Sequence, residues 1–223
     1  MNRQNKPEVG PVLNLTLAGK VASFENRSQS DAANSAASLA ARMARTWEQV
    51  HSYGLKLRAD TTRPMLEREH LLAQFAQKQI QALSPTVQSI MNRLNERRSS
   101  VQDRIDNSLK ETDTLAAMKG SEVRQFLRSL SDTERAEVLK DPAMAKAAVS
   151  APPSLSGLKS DHYQFVRDGV VAREQPQAVQ ELADVDMGTD MLVMASQALL
   201  SNTMAYTDPE TIGNRVEAPG QVA

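Results

Sequence analysis

The chain has 223 residues, enough for one or two domains, and a formal net charge of −1. It has no cysteine, which excludes disulfides, thiolate nucleophiles and Cys-based zinc or iron–sulfur sites. Aromatic residues make up only 4% of it, so its surface must be buried through Ala, Leu, Val, Ile and Met, a composition that favours helices packed closely along their length.

Residues 1–29 show no sustained period, and Val12, Leu13, Leu15 and Leu17 punctuate what reads as an irregular N-terminal arm. The polar start lacks the apolar segment of a secretory signal, and no window reaches about 18 consecutive apolar residues, so no membrane span is expected. Ser30 or Asp31 can cap a helix over about 31–58. Leu39, Met43, Trp47, Val50 and Leu57 form a narrow apolar stripe on it, and Ala32, Ala33, Ala36, Ala37, Ala40, Ala41 and Ala44 allow a neighbour to approach closely. Residues 59–63 interrupt the pattern, and Pro64 suits the first turn of the next helix.

That second helix, predicted over 64–118 with a kink near Pro85, is the main feature. Leu72, Ala76, Ile80, Leu83, Val87, Ile90, Leu94, Val101, Ile105 and Leu109 fall within an arc about 100° wide at 100° per residue. Leu72, Leu83, Leu94 and Ile105 recur every 11 residues, the period of a straight or slightly right-handed coiled coil. A helix of that extent would be roughly 80 Å long at 1.5 Å per residue. The first helix covers the stripe only to about residue 91. Leu94, Val101 and Ile105 therefore need cover from another subunit or from the short helices that follow.

Lys119-Gly120 reads as a helix end, and Ser121 opens a helix that turns Val123, Phe126, Leu127 and Leu130 inward. Ser131-Asp132-Thr133-Glu134 is a capping box, and Asp141-Pro142 caps and starts a helix that ends at Ala151-Pro152-Pro153. Further helices are predicted from Ser160, from Pro176 through Leu182, and from Thr189-Asp190 to about Tyr206. The last carries Met187, Met191, Met194 and Met204, adaptable side chains often used in binding surfaces. Residues 207–223, with Pro209, Gly213, Pro219 and Gly220, read as a loose tail. The fold class is thus all-α: arm 1–29, long helical hairpin 30–119, short-helix cluster 120–206 and tail 207–223.

Chemistry-bearing patterns are sparse. Glu48-Gln49-Val50-His51 and Glu67-Arg68-Glu69-His70 repeat the Glu-x-x-His pattern of di-iron bundles, but helical phase turns both glutamates away from the core, where metal ligands would converge. No nucleophile elbow and no glycine-rich phosphate loop is present. No catalytic residue, metal site or cofactor is expected. Arg93, Arg97, Arg98 and Arg104 could contact phosphates, yet Glu96, Asp103 and Asp106 interleave with them at spacings that suit pairing within the helix. Charge is uneven: residues 168–223 carry nine acidic and two basic side chains, which leaves a basic excess over 1–167.

The stretch Lys140-Asp141-Pro142-Ala143-Met144-Ala145-Lys146-Ala147-Ala148-Val149-Ser150-Ala151-Pro152-Pro153-Ser154-Leu155-Ser156-Gly157-Leu158 resembles a segment of uncharacterised helical proteins encoded by bacteriophages and prophages, in which an alanine-rich helix ends in Ala-Pro-Pro-x-Leu-Ser-Gly-Leu. The resemblance covers about 20 residues directly and implies a virion-associated or assembly protein, with no activity to carry over. The expectation is a non-enzymatic structural or interaction protein of the host cytoplasm or virion. It would act as a homo-oligomer or with other virion or assembly proteins, with Leu94, Val101, Ile105, Met191 and Met194 as interface candidates. The alternatives are a nucleic-acid-associated protein using region 1–167 and, third, a metal-dependent enzyme built on the two Glu-x-x-His motifs.

Overall fold

A computed structural model describes residues 30–206; the arm 1–29 and the tail 207–223 lie outside the described residues, as do the side chains of 204–206. The described chain is all-α. Its helices are α1 (Asp31–Ala59), α2 (Met65–Leu109), α3 (Thr114–Ser129), α4 (Asp132–Val138), α5 (Pro142–Val149), α6 (Pro153–Ser156), α7 (Ser160–Glu174) and α8 (Pro176–Tyr206).

Two compact units share these helices. The first takes residues up to Arg97 and from Asp184 onward; the second is Arg98–Ala183. The chain therefore does not divide at residue 119 into a hairpin and a short-helix cluster. Both α2 and α8 belong to two units, because the apolar stripe of α2 enters two separate cores. Its continuity is interrupted over Asn95–Ser100, where six consecutive residues are exposed.

In the first unit α1 and α2 form the predicted hairpin. Arg68 closes the turn by donating from Nη1 to the carbonyls of Leu57 (3.4 Å) and Arg58 (3.1 Å), two of the orphan acceptors at the end of α1. The core joins Leu39, Met43, Trp47, Val50 and Leu57 of α1 to Leu72, Ala76, Leu83, Ile90 and Leu94 of α2 and to Val185, Met191, Leu192, Ala195 and Leu199 of α8. The alanine face of α1 meets α8: a Cβ on Gly188 would sit 3.1 Å from the Cα of Ala33. Ser196 Oγ lies 3.7 Å from Met43 Sδ. Eight residues further along α8 thus correspond to ten along α1, so these two helices run in the same direction. Pro85 lies inside α2, which passes through it as one helix.

In the second unit Val101, Ile105 and Leu109 of α2 are buried with Leu127, Leu139, Ala145, Ala148, Val149, Val166 and Val170. α5 packs on α3 and α7, and α6 on α3. Short helices have little stripe to bury, and here their ends are secured individually. Asp113 caps α3 through Ala116 N–H (2.8 Å), and Asp141 caps α5 through Ala143 and Met144 N–H. Ser131 and Glu134 form the predicted capping box of α4. Gly157 ends α6 in the left-handed conformation at φ 69°.

Three element boundaries differ from the sequence pattern. α2 ends at Leu109, not 118, because Asp113 caps a new helix. Gly120 is inside that helix rather than at an end, since the Glu111 carboxylate occupies the space its side chain would fill. The separate helices predicted from Pro176 and Thr189 are the single α8, with Gly188 placed mid-helix by the close approach of α1. Phe126 is 48% exposed rather than inward: the buried line of α3 runs through Gly120, Arg124 and Leu127.

Candidate interaction groove

Of the residues predicted to meet a partner, Leu94, Val101, Ile105 and Met191 are all buried within the single chain, at 0%, 1%, 4% and 1% exposure. Met194 is half-buried. Leu94 and Met191 share the first core, while Val101 and Ile105 share the second. Another subunit is not needed to cover the stripe: α8 covers Leu94, and helices after Gly120 cover Val101 and Ile105. The sequence pattern reveals that the stripe is buried but not by which chain.

Glu48, His51, Glu67 and His70 are all exposed. His51 packs against Trp47 (ring centroids 5.9 Å apart), and His70 Nε2 lies 2.7 Å from Gln74 Nε2. Among the described residues no group of three or more His, Asp or Glu side chains is arranged to hold a metal ion. Arg93, Arg97, Arg98 and Arg104 are exposed as well. In the second unit two pairings cross between helices: Arg104 meets Glu181 of α8 at 2.6 Å, and Asp106 meets Arg167 of α7 at 2.5 Å.

The second unit also contains a buried polar network that no sequence motif announces. Arg124 Nη1 donates to Glu111 Oε1 (2.6 Å), Ser150 Oγ (2.8 Å) and the Ala147 carbonyl (3.1 Å). Arg135 donates to the carbonyls of Leu127, Leu130 and Gly157, tying the end of α3 to α6. Tyr163 donates to the carbonyl of Val149 at 3.1 Å, and burial pushes its phenol up from the ordinary tyrosine value. These hydrogen bonds run between helices of the unit, and they hold the short helices together.

The concave feature of the first unit lies along the α1–α2 seam. Two adjoining depressions of about 500 and 400 Å³ share Arg45 and Gln49 and form one open trough. Its floor contains Leu83 and the half-buried pair Tyr53 and Phe75, whose ring centroids are 4.6 Å apart. Arg42, Arg45 and Lys56 line it from α1, with Glu48 as the one acidic side chain. All three cations are exposed, and none has an ion-pair partner among the described residues. Phase explains the geometry. These residues lie on the α1 flank next to α2, roughly 120° or more from the alanine face that receives α8. The seam is therefore left open on that side.

The chain matches no protein-family model, no curated protein and no solved structure. Fold and site together define an all-α protein with an apolar-floored, cation-rimmed interhelical groove. No helix among the described residues is long and apolar enough to cross a membrane.

Proposed function

We propose that this is a non-enzymatic helical interaction protein, of the virion-associated or assembly type, and that the α1–α2 groove is its docking site. The observation that carries this reading is an aromatic pair beside three cations that have no ion-pair partner among the described residues, on an otherwise well-packed helical unit. Tyr53 and Phe75 offer apolar area at low entropic cost, and Arg42, Arg45 and Lys56 supply directional and long-range attraction to an acidic partner. The resemblance of residues 140–158 to phage-encoded helical proteins supports the virion or assembly setting. With the stripe buried in the chain's own cores, the original reason for a homo-oligomer is removed, and the groove becomes the reason to expect a partner.

A photo-crosslinking side chain at Gln49, which lines both depressions, tests this in the cell that carries the gene. Defined adducts to virion or assembly proteins are the expected result. Adducts to nucleic acid would instead support the nucleic-acid reading of the basic region, which would also show a steep loss of affinity with salt. Absence of any adduct beyond that of a crosslinker at exposed Leu55, on the opposite flank of α1, would contradict the proposal.

A further inference from the structure

We infer that α3 carries a self-complementary face on which two copies of the chain associate weakly and antiparallel, about a two-fold axis beside Gly120. The face belongs to the second unit and the α1–α2 groove to the first, so the inference goes beyond the reading of the groove and does not rest on it.

α3 is buried on one side and apolar on the other. Gly120, Arg124 and Leu127 are its buried line. Leu115, Met118, Lys119, Glu122 and Phe126 fall within an arc about 100° wide, centred roughly opposite that line at 100° per residue. Leu115 is 61% exposed, Met118 60% and Phe126 48%. Single exposed apolar side chains are ordinary, but three on one face of one helix make a patch of the kind that marks a contact surface. The same arc carries two charges of opposite sign, Lys119 and Glu122. Both are exposed, and neither has an ion-pair partner among the described residues.

The spacing of these residues selects the occupant. At 1.5 Å per residue, Leu115 and Phe126 lie about 8 Å to either side of the midpoint between Gly120 and Ser121, and Lys119 and Glu122 about 2 Å to either side of it. A two-fold axis through that midpoint, perpendicular to α3, sets Leu115 level with Phe126 of a second copy and Lys119 level with its Glu122. Each of these contacts then occurs twice. The apolar ends close on each other, and the central charges pair. Parallel association would instead set lysine beside lysine and glutamate beside glutamate, and a uniformly acidic or basic partner would be repelled by one of the two. Size sets the strength. A 16-residue helix is about 24 Å long and about 10 Å across, and one face of it is smaller than the about 800 Å² per partner of a standard stable interface. The dimer therefore forms and dissociates with concentration.

Sedimentation equilibrium of the full chain over about a hundredfold range of concentration reads this association. The natural sequence should pass from monomer toward dimer as concentration rises. Lys119→Glu and Glu122→Lys should each weaken the dimer about tenfold with unchanged helical circular dichroism, because the axis turns one exposed substitution into two repulsive pairs. Mixed in equal amounts, the two variants should associate at least as tightly as the natural sequence, since every charge contact between them is again attractive. Phe126→Ser should weaken association whatever the charges. A natural sequence that stays monomeric throughout, single charge variants that associate as it does, a mixture no tighter than either variant alone, or an unchanged Phe126→Ser dimer would overturn the inference. Any of these results leaves the groove reading where the Gln49 crosslink puts it, because that crosslink reports on the first unit.

Discussion

The two units solve the same problem, covering one face of α2, by different means. In the first, three long helices pack along their length, and what lets them approach is the lack of side chain: the alanines of α1 and Gly188 of α8. In the second, helices of 4 to 16 residues surround the last turns of α2, and several of their ends are closed individually by Asp113, Ser131, Asp141, Gly157, Arg135 and Arg124. A long stripe gives each helix many apolar neighbours and tolerates frayed ends. A short helix has few such neighbours and a large share of unpaired backbone groups, so polar closure carries more of its stability.

This difference can be broken at either unit. Leu94→Ala removes a fully buried side chain from the long-helix core and should destabilise it by about 3–4 kcal/mol, read as loss of amide protection in α1 and in α8 beyond Asp184. Comparable loss confined to α3–α7 would contradict the assignment of Leu94 to the first core. Arg124→Leu leaves the Glu111 carboxylate, only 21% exposed, without its cation. A cost of about 3 kcal/mol, felt in α3 and α5, is expected in urea unfolding. Arg124→Leu with Glu111→Leu should recover a large part of it, and failure to recover would mean that the arginine acts mainly through the Ala147 and Ser150 contacts.

Gly188→Ala tests the other closure. Its Cβ would meet backbone at Ala33, which side-chain rotation cannot relieve, so about 1–3 kcal/mol should be lost despite the better helix propensity of alanine. Gly169→Ala, with nothing within 4 Å of the new Cβ, should be neutral or slightly stabilising, and the opposite order would refute close packing as the reason for Gly188.

The smallest effect concerns the α4 cap. Hydrogen bonds from the Ser131 side chain and backbone hold the Glu134 carboxyl below its ordinary value. Its stabilising contribution is therefore present above the unfolded value near 4.5 and is lost as pH falls through the depressed folded value. An NMR titration of Glu134 should show that lowered midpoint, and Ser131→Ala should return it toward the ordinary range.

The stripe with its 11-residue period and the caps at Ser131 and Asp141 were legible in the sequence because each is a local pattern. Leu72, Leu83, Leu94 and Ile105 are all buried, as the period requires. Two of the misread boundaries fall at a glycine. Gly120 reads as a helix stop, and the gap predicted between Leu182 and Thr189 contains Gly188, yet both glycines lie inside helices, one beside the Glu111 carboxylate and the other against Ala33. Sequence records that a side chain is absent but not what fills its place. Likewise Leu94 and Met191 look like a surface awaiting a subunit because the chain that covers them arrives some 100 residues away in sequence. The groove escaped notice because Arg42, Arg45 and Lys56 acquire meaning only when α2 brings Phe75 alongside Tyr53.

One chain covers the α2 stripe, with Leu94 in the first core and Val101 in the second. Leu94→Glu with Val101→Glu places a carboxylate in each core, and the measurement is mass by light scattering together with helical circular dichroism. If both cores are intramolecular, the variant loses much of its helicity or aggregates, with no clean step to a smaller species. A well-folded variant that retains the native helicity while its mass drops to that of a monomer would show that a second chain, not this one, covers Leu94 and Val101.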